Sequence, residues 1–177
     1  EPLFDACTAS ADFLRPYLGW VDSADDVQKW QLDPAARAAA LAEHTEFVGE
    51  TLAEMRRGEH LAVGVWEQPA VVGGGAGGRK LRGLVELHDI SPENQRAGIS
   101  YWRDDRQPQI KGMMSQAVRS VAELAIAPRE DSAAAPTIRR LQFSVATDNK
   151  PSIALAERVG AVREGTLREY ECLHGKS

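Results

Sequence analysis

The chain has 177 residues, which is enough to bury the core of one complete domain. It carries 21 Lys and Arg against 26 Asp and Glu, a formal net charge of −5, and it contains no basic run interleaved with aromatic residues. This balance argues against direct binding of nucleic acid, and it is compatible with a cationic amine or a basic peptide as a ligand.

The cysteines and the hydropathy pattern limit the cellular setting. Cys7 and Cys172 lie far apart and form no CxxC pair, so they predict neither a metal site nor a disulfide framework. No apolar stretch approaches the length of a membrane-spanning helix, and no signal peptide is visible. We therefore expect a cytoplasmic protein with no metal and no membrane partner.

The first half of the chain is predicted to form two helices and the start of a strand meander. The helices cover residues 3–17 and 34–57, and Trp20 lies in the turn after the first. Along one side of the second helix are Leu41, Thr45, Val48, Leu52 and Met55. Strands are predicted at 61–66, 81–88 and 96–103.

The second half is predicted to alternate helices with strands. A helix follows Gly112, an alternating strand covers 141–147, a helix follows Pro151, and a final strand covers about 162–173. Two inserts, at 72–78 and 128–136, are predicted surface loops. The first of them lacks the Gly-Lys-Ser/Thr ending of a nucleotide-binding P-loop. The order of elements predicts an α+β fold.

The turn after the third strand has the features of a phosphate-binding site. The turn and the start of the next helix read Gln109-Ile110-Lys111-Gly112-Met113-Met114. The first amides of a helix are free donors and its dipole favours an anion, while the glycine lets a phosphate approach the backbone. Because many strand-to-helix turns contain a glycine, this pattern gains its weight from a second motif downstream.

The second motif is Asn149-x-x-Ser152, which follows the predicted strand 141–147 and opens the helix that ends near Gly160. With these two motifs the chain resembles the GNAT acetyltransferases, in the branch named for the RimJ and RimL ribosomal-protein acetyltransferases. Residues 109–114 are similar to the Q/R-x-x-G-x-G/A acyl-CoA loop, with Met at the last position as is common in that branch. Residues 160–168 are similar to its G-F-x-x-E-G-x-L-R segment, and residues 14–20 are similar to its L-x-P-W-L-x-W segment.

The resemblance implies a single GNAT domain over residues 1–177, with the acyl-CoA N-acyltransferase fold. That fold has a mixed, mainly antiparallel sheet flanked by helices. Relatives carry a strand before the first helix and a last strand beside the site, and we expect both of these family strands to be missing from residues 1–177.

The resemblance also implies acetyl-CoA as the cosubstrate, attacked directly by an amine with no covalent enzyme intermediate. Pantetheine would lie along the strand edge Ser100-Tyr101-Trp102, and the pyrophosphate would lie on the amides of the 109–114 loop. Ile110 stands where the family often has glycine, so the turn must avoid a positive φ there. Asn149 is expected to contact the pantetheine arm, and the alternative is that it only closes the turn before the helix.

Side chains for proton transfer are the next prediction. By its place in the family motif, Ser152 is the candidate that protonates the leaving thiolate, and the alternative is a helix-capping serine. Glu86 and His88 lie two residues apart on one strand face, so either could take the proton from the amine, directly or through water. Their alternative is an ordinary polar sheet face.

Two classes of function remain open. The first is an N-acetyltransferase for a protein N-terminal amine, of the ribosomal-protein type, with a small-molecule amine or polyamine as the variant acceptor. The second is a non-catalytic module on the same fold that binds CoA or a partner. The sequence leaves the acceptor and the oligomeric state open, and a homodimer is one of the options.

Overall fold

This computed structural model describes residues 2–67, 79–104, 110–127 and 138–172. Within these ranges the chain forms six helices and four strands. In chain order they are α1 (Pro2–Ala9), α2 (Ala11–Leu14), α3 (Ala24–Leu32), α4 (Pro34–Arg57), β1 (Leu61–Glu67), β2 (Lys80–Ser91), β3 (Arg96–Arg103), α5 (Met113–Ile126), β4 (Arg140–Gln142) and α6 (Lys150–Arg158). The two inserts at 72–78 and 128–136, as well as Gln109, lie outside the described residues.

The four strands form one sheet in the order β1-β2-β3-β4. The first two pairings are antiparallel and the pairing of β3 with β4 is parallel. The predicted α+β fold with a mixed, mainly antiparallel sheet flanked by helices is therefore confirmed.

The sheet carries a separate core on each face. On one face α5 and α6 pack on the strands, with a cluster made of Val85, Leu87, Ile99, Met114, Val118, Val121 and Leu155. On the other face α1 and α2 pack on the strands, with a cluster made of Ala6, Cys7, Ala11, Leu14, Val21, Leu81 and Trp102. Because side chains alternate along a strand, Glu86 and Ser100 share the second face with Leu84 and Trp102, their neighbours two positions away.

The predicted helix at 3–17 is in fact two helices that meet at Ser10. This residue is 2% exposed, and its hydroxyl donates a hydrogen bond of 3.1 Å to Oδ1 of Asp104, just beyond the end of β3. A serine side chain that bonds outside its own helix favours a break in the backbone pattern, and here the partner is 94 residues away. The break was therefore not predictable from local sequence.

Two caps define the next helices. Ser23 and Asp26 form a capping box at the start of α3, a helix that the sequence analysis missed although this spacing is its signal. Asp33 caps α4 ahead of Pro34, and α4 ends at Gly58 with φ +75. No residue of α4 is fully buried, and Leu52 of the predicted stripe is 45% exposed.

Two predicted strands are wrong in extent or in kind. The strand at 141–147 is reduced to β4, because its pairing with β3 ends at Gln142 and residues 143–146 have no ladder partner among the described residues. Within 162–172 the structure shows no strand. Glu164 instead pairs with Arg140 of β4 at 2.8 Å, and side-chain alternation alone does not create a strand without a backbone partner.

None of the described helices combines the length and the apolar composition needed to cross a bilayer.

The two cysteines lie in opposite environments. Cys7 is 9% exposed in the α1–α2 core, and burial, with the charges of Glu86 and Asp22 nearby, raises the pKa of its thiol to about 12. Cys172 is a free thiol at the surface. The thiolate is the reactive form, so Cys7 should be inert in the folded protein.

We expect Ellman's reagent at pH 8 to label one thiol of the native protein rapidly and the second only after denaturation. At that pH a thiol with a pKa near 12 is ionised in only about one molecule in ten thousand, and the core also blocks the reagent. In a Cys172→Ser variant the fast phase should disappear. A fast phase that persists in this variant would contradict the burial of Cys7.

Candidate functional site

A gap opens between β3 and the segment that follows β4. The two strands pair only through Arg96–Gly98 and Arg140–Gln142, and the following residues 143–146 form no strand. The edge of β3 from Ser100 to Trp102 therefore faces this gap with no ladder partner among the described residues. Such an edge offers alternating amide donors and carbonyl acceptors to an extended ligand.

The side chains along that edge have different environments. Trp102 is 5% exposed and belongs to the core under α1 and α2. Tyr101 and Ser100 are half-buried. A ligand along this edge would therefore meet mainly the backbone of these three residues, and its presence there stays a prediction.

The N-terminus of the helix α5 has an unusual cap. Gly112 is the N-cap with φ +81, and no side chain caps the helix. The amide of Met113 donates to the Ile110 carbonyl at 3.1 Å, whereas the amides of Met114 and Ser115 donate no backbone hydrogen bond within the described residues. Ile110 is not among the described residues with positive φ, so the turn does manage without a second glycine.

The remaining loop side chains divide between solvent and core. Lys111 is exposed, and Ile110 is 48% exposed. Met114 is buried in the α5 core and Met113 packs partly against it. Within the described residues the loop thus presents to an anion two amides without a backbone acceptor, a glycine and one lysine, and Gln109 lies outside those residues.

Tyr101 joins β3 to the first turn of α6. Its hydroxyl donates a hydrogen bond of 3.0 Å to the Ser152 carbonyl, and its ring meets Phe143 edge-on at 6.5 Å. Burial raises the pKa of Tyr101, so the hydroxyl is a neutral donor at physiological pH. The sequence analysis named Tyr101 only for the strand edge and did not predict this contact, because no local pattern connects residues 101 and 152.

Asn149 and Ser152 are adjacent at the start of α6. Asn149 is the N-cap, and its Oδ1 accepts a hydrogen bond of 3.2 Å from the amide of Ser152. The structure therefore contains the turn-closing role that was the alternative for Asn149. Ser152 is not the cap, and its hydroxyl has no hydrogen bond within the described residues.

Glu86 and His88 share the face of β2 that is covered by α1 and α2. Glu86 is 19% exposed along its side chain, and its Oε1 lies 3.3 Å from Nε2 of His60. His88 is 38% exposed, and its Nδ1 lies 2.8 Å from Oδ2 of Asp89. His60 was missed by the sequence analysis, since it stands alone between α4 and β1 with no motif around it.

A broad cleft of about 1270 Å³ lies elsewhere, among α2, residues 143–148, α6 and residues 160–171. Its lining includes Ile153 but neither Ser152 nor Gly112, so it does not coincide with the loop before α5. The loop before α5 has the specific features of an anion site, a left-handed glycine and helix N-terminal amides, whereas the cleft lies beside the exposed segment 162–171. Within the described residues no group of three or more side chains suits a metal ion.

Known proteins resemble this chain in sequence and in fold. Residues 3–162 match the family model described as the acetyltransferase (GNAT) domain. Over 95 residues the chain is 30% identical to the ribosomal-protein-serine acetyltransferase of Escherichia coli K12. The matched residues are 54% of this chain and 49% of that protein. The chain spans about half the length of the curated relatives it matches.

Two solved structures are similar over nearly the whole chain. The RimL ribosomal L7/L12 α-N-protein acetyltransferase in complex with CoA has a TM-score of 0.66 at 22% identity, covering 98% of this chain and 80% of that one. The microcin C7 self-immunity acetyltransferase MccE in complex with acetyl-CoA and AMP has a TM-score of 0.69 at 21% identity, covering 99% and 80%. At these identities the likeness shows the fold.

Proposed function

Because the chain belongs to the GNAT acetyltransferase family, we propose that it transfers the acetyl group of acetyl-CoA to a primary amine. The observation that carries this proposal is the N-terminus of α5, where Gly112 is left-handed and the amides of Met114 and Ser115 are free. These features provide an anion site beside the open edge of β3. The function follows from the site and the family together, since the fold alone hosts many activities.

In this proposal acetyl-CoA binds through the backbone. The pyrophosphate lies on the loop amides with Lys111 adding positive charge, and the pantetheine arm lies along Ser100 to Trp102. Asn149 uses Oδ1 for the Ser152 amide, which leaves its NH₂ group free to donate to a pantetheine carbonyl. Capping and cofactor contact are therefore compatible for this residue.

Proton transfer is assigned to two side chains. Ser152 donates a proton to the departing thiolate, since its hydroxyl has no competing partner among the described residues. We prefer Glu86 to His88 as the base, because Glu86 is more withdrawn from water and is held by His60, whereas His88 pairs with the exposed Asp89. A free backbone amide at the end of β3 would stabilise the oxyanion without reorganisation.

The acceptor that we propose is a protein N-terminal amine, reached in the cytoplasm. An N-terminal amine has an unperturbed pKa near 7.7–8.0, against about 10.4 for lysine, so one modest base is enough. The named function of the Escherichia coli relative, a ribosomal-protein-serine acetyltransferase, supports this acceptor. The free, exposed Cys172 is consistent with a reducing compartment.

A peptide that carries both a free N-terminus and a lysine tests the acceptor. We expect acetyl-CoA to yield thiol release and a peptide acetylated at the N-terminal amine well before the lysine, as read by fragment-ion mass spectrometry. A matched peptide with a formylated N-terminus should lose most of the reaction. Preferential acetylation of lysine, or of spermidine added in competition, would favour the small-amine alternative over the N-terminal acceptor.

The non-catalytic alternative has its own signature. Calorimetry would then show CoA binding, while thiol release would stay at the rate without protein for every peptide and polyamine tried. If the protein accelerates thiol release with any of these amines as the acceptor, the non-catalytic alternative is excluded.

A further inference from the structure

His60 stands between two carboxylates on the α1–α2 side of the sheet. Its Nε2 lies 3.3 Å from Oε1 of Glu86, and its Nδ1 lies 3.5 Å from Oε2 of Glu54. The exposed fractions of the side chains are 19% for Glu86, 17% for His60 and 44% for Glu54. His60 therefore joins a mostly buried carboxylate on the sheet to a more exposed carboxylate on α4.

We propose that His60 is a positioning residue that holds Glu86 as the base and passes the acceptor's proton on to Glu54 and solvent. This inference rests on the acetyl transfer proposed above, and it adds a route for the proton that the reaction releases.

The turn between α4 and β1 fixes the position of His60. Glu54 lies in the last turn of α4, and Gly58 ends that helix with φ +75. The amide of Glu59 donates to the Glu54 carbonyl at 3.0 Å, which brings the chain back over the helix end. His60 then leads into β1, where Ala62 pairs directly with Glu86. Backbone structure on both sides thus holds the imidazole against both carboxylates.

The other charged and titratable groups near Glu86 are protonated or paired elsewhere, so they do not accept its proton. Cys7 of α1 stays protonated, because burial and the charges of Glu86 and Asp22 raise its pKa to about 12. His88, farther along β2, is bonded to Asp89. At the end of α4, Arg57 pairs with Glu59 at 2.7 Å. Among the described residues His60 is the group that pairs with Glu86.

The proposed route moves one proton from the amine nitrogen to water and breaks only bonds to hydrogen. At the start the neutral imidazole donates its Nε2–H to the Glu86 carboxylate and so holds it in place. After Glu86 has taken the proton from the amine nitrogen, the imidazole moves its own proton to Nδ1 through solvent, and Nε2 then accepts the proton from Glu86. The imidazolium then releases the proton on Nδ1 to Glu54, and Glu54 loses it to water. A distance of 3.5 Å is an ion-pair distance, and rotation of the exposed Glu54 side chain brings it within hydrogen-bond range. The ring is then back in the tautomer that donates from Nε2, so the net change is one proton delivered to water.

The test is the pH–rate profile of His60→Ala with and without added imidazole. We expect kcat near pH 7 to fall roughly 10- to 100-fold, with a smaller loss at pH 9 and little change in the Michaelis constant for acetyl-CoA. Imidazole in the buffer should restore part of the rate. Glu54→Gln should cause a smaller loss, while its matched control Glu59→Gln, one turn away and paired with Arg57, should behave as wild type.

Each outcome decides between the two proposals. If the wild-type protein catalyses no acetyl transfer, the proposed function fails. If the wild type is active and folded His60→Ala keeps the wild-type rate and profile, or loses rate equally at all pH values without rescue by imidazole, the role of His60 is overturned. Should His60→Ala fail to fold, His60→Asn keeps an N–H donor for Glu86 but cannot accept and pass on a proton, and a normal rate in that variant overturns the role equally.

Discussion

Replacing Gly112 by Val is expected to weaken CoA binding by about 100-fold or more while the protein remains folded. Gly112 has φ +81, a region that costs an L-residue about 1–2 kcal/mol and a β-branched residue more. Relaxing that strain turns the amides of Met114 and Ser115 away from the diphosphate, and a loss of about 2.7 kcal/mol corresponds to 100-fold in affinity. Isothermal calorimetry with CoA measures the effect.

Gly58→Val is the matched control for this prediction. Gly58 also has positive φ, +75, and the structure leaves open space around a Cβ at either glycine. The backbone strain is therefore similar, but Gly58 lies at the end of α4, away from the loop before α5. We expect both variants to lose a comparable amount in melting temperature and only the Gly112 variant to lose CoA affinity.

Unchanged CoA affinity in folded Gly112→Val would remove the loop assignment. If that variant does not fold, Gly112→Ala imposes the same φ with a smaller side chain. Beyond its chain neighbours, no described residue lies within 4 Å of a Cβ at Gly112, so among these residues the substitution adds only the strain of the positive φ, and we expect the steric block to come from the bound diphosphate.

Replacing Ser152 by Ala is the second large effect, and we expect turnover to fall roughly ten- to a thousand-fold. Without a proton donor the thiolate must leave as an anion, and positioned proton transfer commonly contributes in this range. The Michaelis constant for acetyl-CoA should change less than turnover. Stability should hardly change, because the hydroxyl of Ser152 makes no hydrogen bond within the described residues and the cap is Asn149.

Asn149→Ala removes the cap and leaves the Ser152 hydroxyl in place, although it also removes the proposed contact with pantetheine and should raise the Michaelis constant for acetyl-CoA. Loss of this N-cap should lower the free energy of unfolding by about 1 kcal/mol, which Ser152→Ala should not do. Turnover and melting temperature are measured on the same samples. If Ser152→Ala keeps normal turnover per folded molecule, the acid is another group, and the hydroxyl of Tyr101, bonded to the Ser152 carbonyl, is the nearest one to test.

Local signals in the sequence determined where most elements begin and end. The Asp33-Pro34 pair and Gly58 bound α4, Gly112 marks the start of α5, and Asn149 caps α6. Caps and left-handed glycines end a helix through hydrogen bonds to residues a few positions away, so helix ends can be predicted from the neighbouring sequence. The missed helix α3 had such a signal in its capping box, so that miss was a misreading of local sequence.

Long-range pairing decided the rest. The break at Ser10 depends on Asp104, and the predicted strand at 162–173 did not form over the described residues because no backbone pairs with it there. The pairs Tyr101–Ser152 and His60–Glu86 likewise join distant elements. A sequence period shows which face of an element a residue occupies, but packing in three dimensions selects the side chain opposite it. The glycine turn proposed as the cofactor loop was therefore predicted from the sequence by itself, whereas the partners of Glu86 and Ser152 were decided only by the tertiary structure.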